Sequence, residues 1–445
     1  IPKILYAVEG SRISETSVEI KWVVSEKNPV DGLAIWEEGT TEERQISLEN
    51  ASAGQYTITG LTPRITYYVA LTNSAAPEGA EKYNQQRFTT AGMPADAVVV
   101  EDGVDLMDKI KAGMTDASKQ ALVFQLKNGV DYYLTAGGEV AAKTGDIKLT
   151  KSIALLANPG ERPTLYIREG CFNVKPESGN MPDIEYFVVD NVNIKETWTD
   201  SKPSKGSKTR LLNIGKHDAG TDFTIDRFEI TNSDIVLPSA VLMMSDASEG
   251  VTTINHIRID NCLVSGINTS AVTKQFGFIH AINKGSNVWN DVSVTNSTFY
   301  EFYISPGVFG APTANVPIAA GNKVVISNCT FYNWGSNKDG KNTYRAVGNF
   351  SKLTAPLNLS VNNCVFGSSE SKVLDAGGIN LDSKGNYCTS DFEKMSDAGL
   401  TLISLDTDDA SLFRNIEEND FTVIDAESVI YKSEYGDPRW ITVLD

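Results

Sequence analysis

The chain has 445 residues, 41% of them apolar, and a formal net charge of −18. At roughly 100–200 residues per domain this length corresponds to two to four domains, with ample apolar material for their cores. No apolar run reaches the ~18 residues of a membrane-spanning helix, and no basic stripe or run offers a nucleic acid a footprint. A body this acidic also repels polyanions at a distance, so a pectin-like polymer would need a local basic groove or bound Ca2+. Residue 1 already lies in strand-like sequence without a basic and apolar leader, so the chain reads as mature or trimmed and its targeting is not legible.

Residues 1–91 alternate as strands do. Val18, Ile20, Trp22 and Val24 mark one face, with Glu19 and Lys21 on the other. Further on, Tyr56-Thr-Ile-Thr-Gly-Leu61-Thr-Pro63-Arg-Ile-Thr-Tyr67-Tyr-Val69 reads as a strand, a Leu-x-Pro turn and a corner tyrosine entering the next strand. With a Trp in the second strand, this stretch resembles fibronectin type III domains, which implies an antiparallel β-sandwich over 1–91. Gly92-Met-Pro94 reads as a linker.

Segment 92–116 is expected to hold that linker and a capping helix over 101–115. Leu106, Met107 and Ile110 share a helical face, with acidic residues early and lysines late, as the macrodipole favours. Such a helix would cover the open edge of the first coil of a solenoid. Ala121–Leu126, Ile147–Leu149 and Ser152–Asn158 read as the first strands of one.

Then a phrase recurs six times: apolar, any residue, apolar, small polar, Asn. It ends at Asn191, Asn232, Asn261, Asn296, Asn328 and Asn363, at spacings of 41, 29, 35, 32 and 35 residues. Another apolar residue follows three positions later, at Ile194, Ile235, Val264, Phe299, Phe331 and Phe366. Strand-like alternation at this period, with no helical pattern between, predicts a right-handed, single-stranded parallel β-helix over 117–390. The fold class is therefore all-β. Asn suits the bend because it tolerates φ > 0, and stacked amides are expected to bond one to the next. The residue after each Asn (Val192, Ser233, Cys262, Ser297, Cys329, Cys364) is small enough for a tight interior column.

The five cysteines cannot all pair. Cys262 and Cys329 lie two coils apart, ~9.6 Å at ~4.8 Å per coil, which is too far for a disulfide. Cys329 and Cys364 lie in adjacent coils, where a bridge or a column of free thiols would both fit; the free column is preferred. Asn158 repeats half the phrase. Segments 169–183, 196–208 and 305–322 read as loops. After Cys388 the period is lost, and 391–445 reads as an acidic C-terminal loop and cap region ending in Gly436-Asp-Pro-Arg-Trp440.

This layout resembles uncharacterised surface proteins of Bacteroidetes polysaccharide-utilisation loci: a fibronectin type III module followed by a β-helix of the pectate-lyase superfamily. The likeness rests on Asp102 to Ile110, Pro159-Gly-Glu-Arg-Pro-Thr164, the Asn-Cys phrases and the terminal Gly436–Trp440. It implies an extracellular or outer-membrane-surface protein, secreted or lipid-anchored. These motifs report architecture, and architecture alone does not license chemistry.

Hydrolysis of the polygalacturonase type needs paired carboxylates. The single Asp-Asp pair, Asp408-Asp409, lies beyond the repeats, and none of His217, His256 and His280 has a flanking glycine. A lyase needs a base and a cation to hold the developing charge. Arg162-Pro-Thr-Leu-Tyr-Ile-Arg168 is only superficially like a lyase signature and reads as a turn. Asp382 to Asn386 and Asp406 to Asp408 are weak Ca2+ candidates, solvated loop acids being the commoner case. No other cofactor is expected.

One cluster remains. Strands following each Asn turn should stack Arg210, Lys216, His217, Asp246, His280, Lys284 and Arg345 on one flank. That is a mixed basic groove suited to an anionic sugar, with Trp289, Tyr344, Tyr303 and Trp334 as candidate stacking aromatics. Scattered surface charges, a core-edge His and buried aromatics are the plainer alternative. The preferred function is a non-catalytic polysaccharide-binding protein with the N-terminal module as spacer. A β-helix lyase acting on a uronic-acid polymer, with Lys or His as base, and a purely structural spacer are the alternatives.

Overall fold

The computed structural model describes residues 3–135, 145–197, 210–238, 241–246, 248–267, 276–282, 286–304, 306–310, 323–335, 344–351, 357–367, 371–392 and 399–444. Six strands open it: β1 (Ser17–Lys21), β2 (Gly32–Glu37), β3 (Glu43–Ser47), β4 (Gln55–Thr59), β5 (Thr66–Thr72) and β6 (Lys82–Thr89). They form two antiparallel sheets, β1-β4 and β3-β2-β5-β6. Val18, Ile20 and Trp22 turn inward onto Leu33, Ile58, Val69 and Phe88, a sandwich core. Val24 lies past the end of β1 and is 56% exposed, so the inward face stops at Trp22. The Tyr67 hydroxyl accepts the Thr62 N–H at 3.0 Å while its ring stacks on Phe88, which pins the Leu61-Thr-Pro63 turn.

The rest of the described chain winds through three parallel sheets. Sheet I stacks ten strands from β7 (Val98–Val100) to Asn380–Lys384, sheet II ten from Asp131–Tyr133 to Ile403–Ser404, and sheet III eight from Gly145–Lys148 to Lys372–Asp375. The chain visits I, II and III in turn, the course of a right-handed parallel β-helix. The presumed linker therefore supplies a strand of its own, β7. Helix α1 (Leu106–Thr115) starts where the Asp105 carboxylate accepts the Asp108 N–H, and it buries Leu106, Met107 and Ile110 against the first coil. The expected loop 169–183 contains a strand of sheet III, Gly170–Val174. Glycine disguised it, yet glycine is what the site requires: a Cβ on Gly170 would sit 2.1 Å from the Gly145 carbonyl oxygen.

The six asparagines superpose. All are left-handed, with φ between 50° and 58°. Each N–H donates across to the next coil, as Asn232 to the Asp260 carbonyl at 3.0 Å and Asn363 to Lys384 at 2.9 Å. The side chains do not form the unbroken amide chain expected of them. Asn261 donates to Asn232 at 2.8 Å, but Asn232 and Asn296 donate instead to the carboxylates of Asp190 and Asp260. Asp190 and Asp260 occupy the small polar position before Asn191 and Asn261, one coil back from the donating amides, and a charged acceptor outcompetes an amide. Replacing Asn296 by Ala should cost about 1–2 kcal/mol, because Ala lacks the short amide that lets Asn tolerate the left-handed turn and that bonds Asp260, whereas Asn296→Gly, free of a Cβ, should cost less; urea denaturation of the two variants compares them.

After five of the six asparagines, all but Asn191 with its Val192, the small residue has a second role. Its hydroxyl or thiol donates to the carbonyl two residues back, from Ser233 to Thr231 at 2.9 Å, Ser297 to Thr295 at 2.7 Å and Cys329 to Ser327 at 3.3 Å. That bond uses the second lone pair of a corner carbonyl that already accepts the Asn N–H of the preceding coil. Cys262, Cys329, Cys364 and Cys388 are buried and in no disulfide, and burial pushes the Cys262 thiol up to about 12. Asn386 extends the column: its amide donates to the Val361 carbonyl at 2.6 Å and accepts the Cys364 N–H. Asn158 is no rung, since Asn191 meets the carbonyl of Ala157. Asn158 instead accepts the Gly92 N–H at 2.9 Å and ties down the linker.

The C-terminal segment lies along the flank of the coil. Leu412, Phe413, Phe421 and Ile430 pack with Tyr300, Tyr332 and Tyr387, which stand out from sheet II. Gly436–Trp440 then crosses the asparagine column as a strap. The Gly436 N–H donates to the Asn363 carbonyl at 2.8 Å, Arg439 donates to Asn261 at 3.2 Å, and Trp440 donates to the Thr298 hydroxyl, which donates to Asp437.

Candidate binding site

Arg210, Asp246, His280 and Arg345 lie on strands of sheet III, with Lys216 and His217 just beyond one of them. They do not form one column. The row that runs through His280 is Asn213, Met244, His280, Gly310 and Asn349. His217 is buried, its Nδ1 2.7 Å from the Thr221 carbonyl and its Nε2 2.6 Å from the Thr252 hydroxyl. His280 is buried too. Its Nδ1 accepts the Gly277 N–H at 2.9 Å, and burial, aided by the charge of Arg210, pushes its pKa down to about 3.

The cations of this flank are engaged. Lys216 pairs with Glu249 at 2.6 Å, Arg345 and Lys372 with Asp375, and Arg210 with Asn213. Asp246 accepts the Ser248 N–H at 3.0 Å. Trp289, Trp334 and Tyr344 are buried, and half-buried Tyr303 accepts a bond from Asn333. Lys284 lies outside the described residues. Sheet III thus brings several of these residues onto one flank, but His217 and His280 are enclosed, and of the aromatics only Tyr344 borders a strand of this sheet, Trp289 lying on sheet I and Tyr303 and Trp334 just past strands of sheet II.

An open groove lies elsewhere, between the sandwich and the outer face of sheet I. The outward positions of three successive strands stack there in register: Tyr186 beside Arg227, Glu229 beside Arg258, and Asp190, Thr231 and Asp260 in line. Asp260 is the centre. Only 2% exposed, it meets Arg87 of β6 at 3.1 Å, Arg258 at 2.9 Å, and the Thr295 and Asn296 side chains at 2.8 Å each. Burial works against its charge, but the two guanidiniums and these donors hold its carboxyl below the usual range. Arg87 also forks onto Glu38 at 2.8 and 3.1 Å, so one side chain joins both units.

Two lobes meet at Arg87. An arginine lobe of about 320 Å3 is lined by Arg64, Arg87, Arg227 and Arg258, with the Arg227 guanidinium 5.3 Å above the Tyr186 ring. An amide lobe of about 380 Å3 lies between Asn84, Gln85 and Gln86 of β6, the column residues Asn261, Asn296 and Asn328, and the strap. Residues 324–440 match a family model described as a domain of unknown function, DUF5123. That span covers the last coils and the strap up to Trp440. A solved structure of a Yersinia enterocolitica family 28 exopolygalacturonase is similar over 88% of this chain and 100% of its own, at 10% identity and a TM-score of 0.18, too low to carry an argument. No curated protein matches the chain.

Sequence reasoning missed this groove because it followed sheet III. A signal was present in the variable position of each phrase, where Val188, Glu229 and Arg258 stand, since that position faces outward. Guanidiniums, carboxylates and amides in fixed pairs can bind and orient a hydroxyl-bearing ligand, and clefts at domain interfaces are where such ligands tend to lodge.

Proposed function

We propose that this protein binds polysaccharide without cleaving it, outside the cell or at the outer-membrane surface, and that the glycan lies in the groove between the two units. The observation that carries this reading is the groove itself, built jointly by β6, sheet I and the strap and lined with arginine and amide side chains. The N-terminal unit, which we take to be a fibronectin type III module, is then part of the site and not a spacer. The lyase alternative needs an accessible, uncommitted base; His217 and His280 are both enclosed, and the exposed Lys216 is paired with Glu249.

Native gels loaded with neutral or uronic-acid polysaccharides test the reading. Retardation by at least one polymer is expected, with no ultraviolet-absorbing unsaturated product on prolonged incubation with or without Ca2+. Migration unaffected by every polymer, or accumulation of that product, would overturn it.

A further inference from the structure

The amide lobe supports a finer assignment, which rests on that reading. We propose that it takes an uncharged, hydroxyl-rich sugar unit, with the side-chain N–H of Asn84 as an enclosed donor. Asn84 is 8% exposed, and its Oδ1 accepts both the Ile4 N–H at 2.5 Å and the Leu5 N–H at 3.1 Å. Those two donors fix which end of the amide is oxygen. Nδ2 is thereby committed as a donor, and it is buried without a hydrogen-bond partner. A buried donor left unmade is costly, and native proteins retain few of them. A ligand oxygen pressed into the lobe, which Asn84 lines, would satisfy this one after a small shift of the side chains over it.

The neutrality of the ligand follows from the charges. Every ion lining this lobe is matched within the protein: Lys3 with Glu434, Arg439 with Asp437 at 2.7 Å, and Arg87 with Glu38 and Asp260. What remains to meet a ligand is a set of amides; Asn261, Asn296 and Asn328 each commit one N–H within the protein, and an amide nitrogen carries two. A carboxylate would find no unmatched cation there and would enter against a net charge of −18. The volume of about 380 Å3 falls in the range of small-ligand sites.

Asn84→Asp is the test. It preserves the oxygen that holds Ile4 and Leu5, keeps the shape, and replaces the N–H donor by an acceptor. Against neutral hexose and pentose polysaccharides in affinity gels it should bind about tenfold more weakly or worse, roughly the worth of one hydrogen bond, and melting temperatures taken alongside separate that loss from the cost of enclosing a carboxylate. Gln85→Ala, at an exposed position on the same lobe, should also weaken binding and serves if Asn84→Asp does not fold. Wild-type affinity in both variants would overturn the assignment. So would wild-type protein that binds polygalacturonate alone, although polysaccharide binding would then stand; binding to no polymer would instead remove the proposed function itself.

Discussion

Replacing Phe331 by Ala should lower the stability of the β-helix by about 3–5 kcal/mol, the range for deleting a fully enclosed aromatic ring. Phe299, Phe331 and Phe366 stand in register on sheet II and are each 0% exposed. Their rings stack at 5.1 Å on both sides of Phe331, at interplanar angles of 9° and 7°. Deleting the middle ring leaves a cavity facing two others, and neighbouring coils cannot close over it because backbone hydrogen bonds fix their spacing. In a solenoid each coil leans only on its neighbours, so the loss weakens both adjoining interfaces. Phe331→Leu should cost less. Urea denaturation followed by circular dichroism measures both, and a loss below about 1 kcal/mol for the Ala variant would contradict a tightly packed stack.

Asp260→Asn should destabilise the protein by about 3–5 kcal/mol at neutral pH, as removing one partner of an enclosed ion pair typically does. The change leaves the Arg87 and Arg258 guanidiniums beside each other without the carboxylate between them. Because Arg87 belongs to the sandwich and Asp260 to sheet I, small-angle scattering should also show the units less tightly held. The pH dependence has a definite sign. The folded carboxyl titrates below its ordinary value, so its contribution is complete above about pH 4, near the unfolded value. It is lost as the pH falls from there through the folded value. The gap between wild type and variant in urea titrations should therefore be widest at pH 7 and shrink toward pH 3. A variant as stable as wild type at pH 7 would show that Asp260 does not hold the units together.

Much of the coil was legible because its signals are local. A left-handed corner admits few side chains, and Asn191 through Asn363 mark six of them. The corner before Asn386 escaped notice because Gly385, with φ of 64°, does the same work without the asparagine. Gly170–Val174 reads as a loop for a related reason: glycine marks a turn and a close strand contact alike. Asn158 fits half the phrase but is spent on Gly92, a contact no periodicity encodes.

The candidate site was less legible. Alternation tells which residues leave the core, not which of three outward faces another unit will cover. His217 and His280 carry the right chemistry for a groove, yet neither stands in one.

Residue order alone determined the all-β class, the period of the coils, the helix at their start and the identity of the corner residues, because steric limits on φ and strand alternation act over a few neighbours. Only tertiary structure decided that Arg439 would reach Asn261, 178 positions away, that Arg87 would meet Asp260, and that Asn84 would be left with an unused donor. Those pairings depend on how two finished surfaces fit, and surfaces that meet across such distances leave no repeating trace in the chain that forms them.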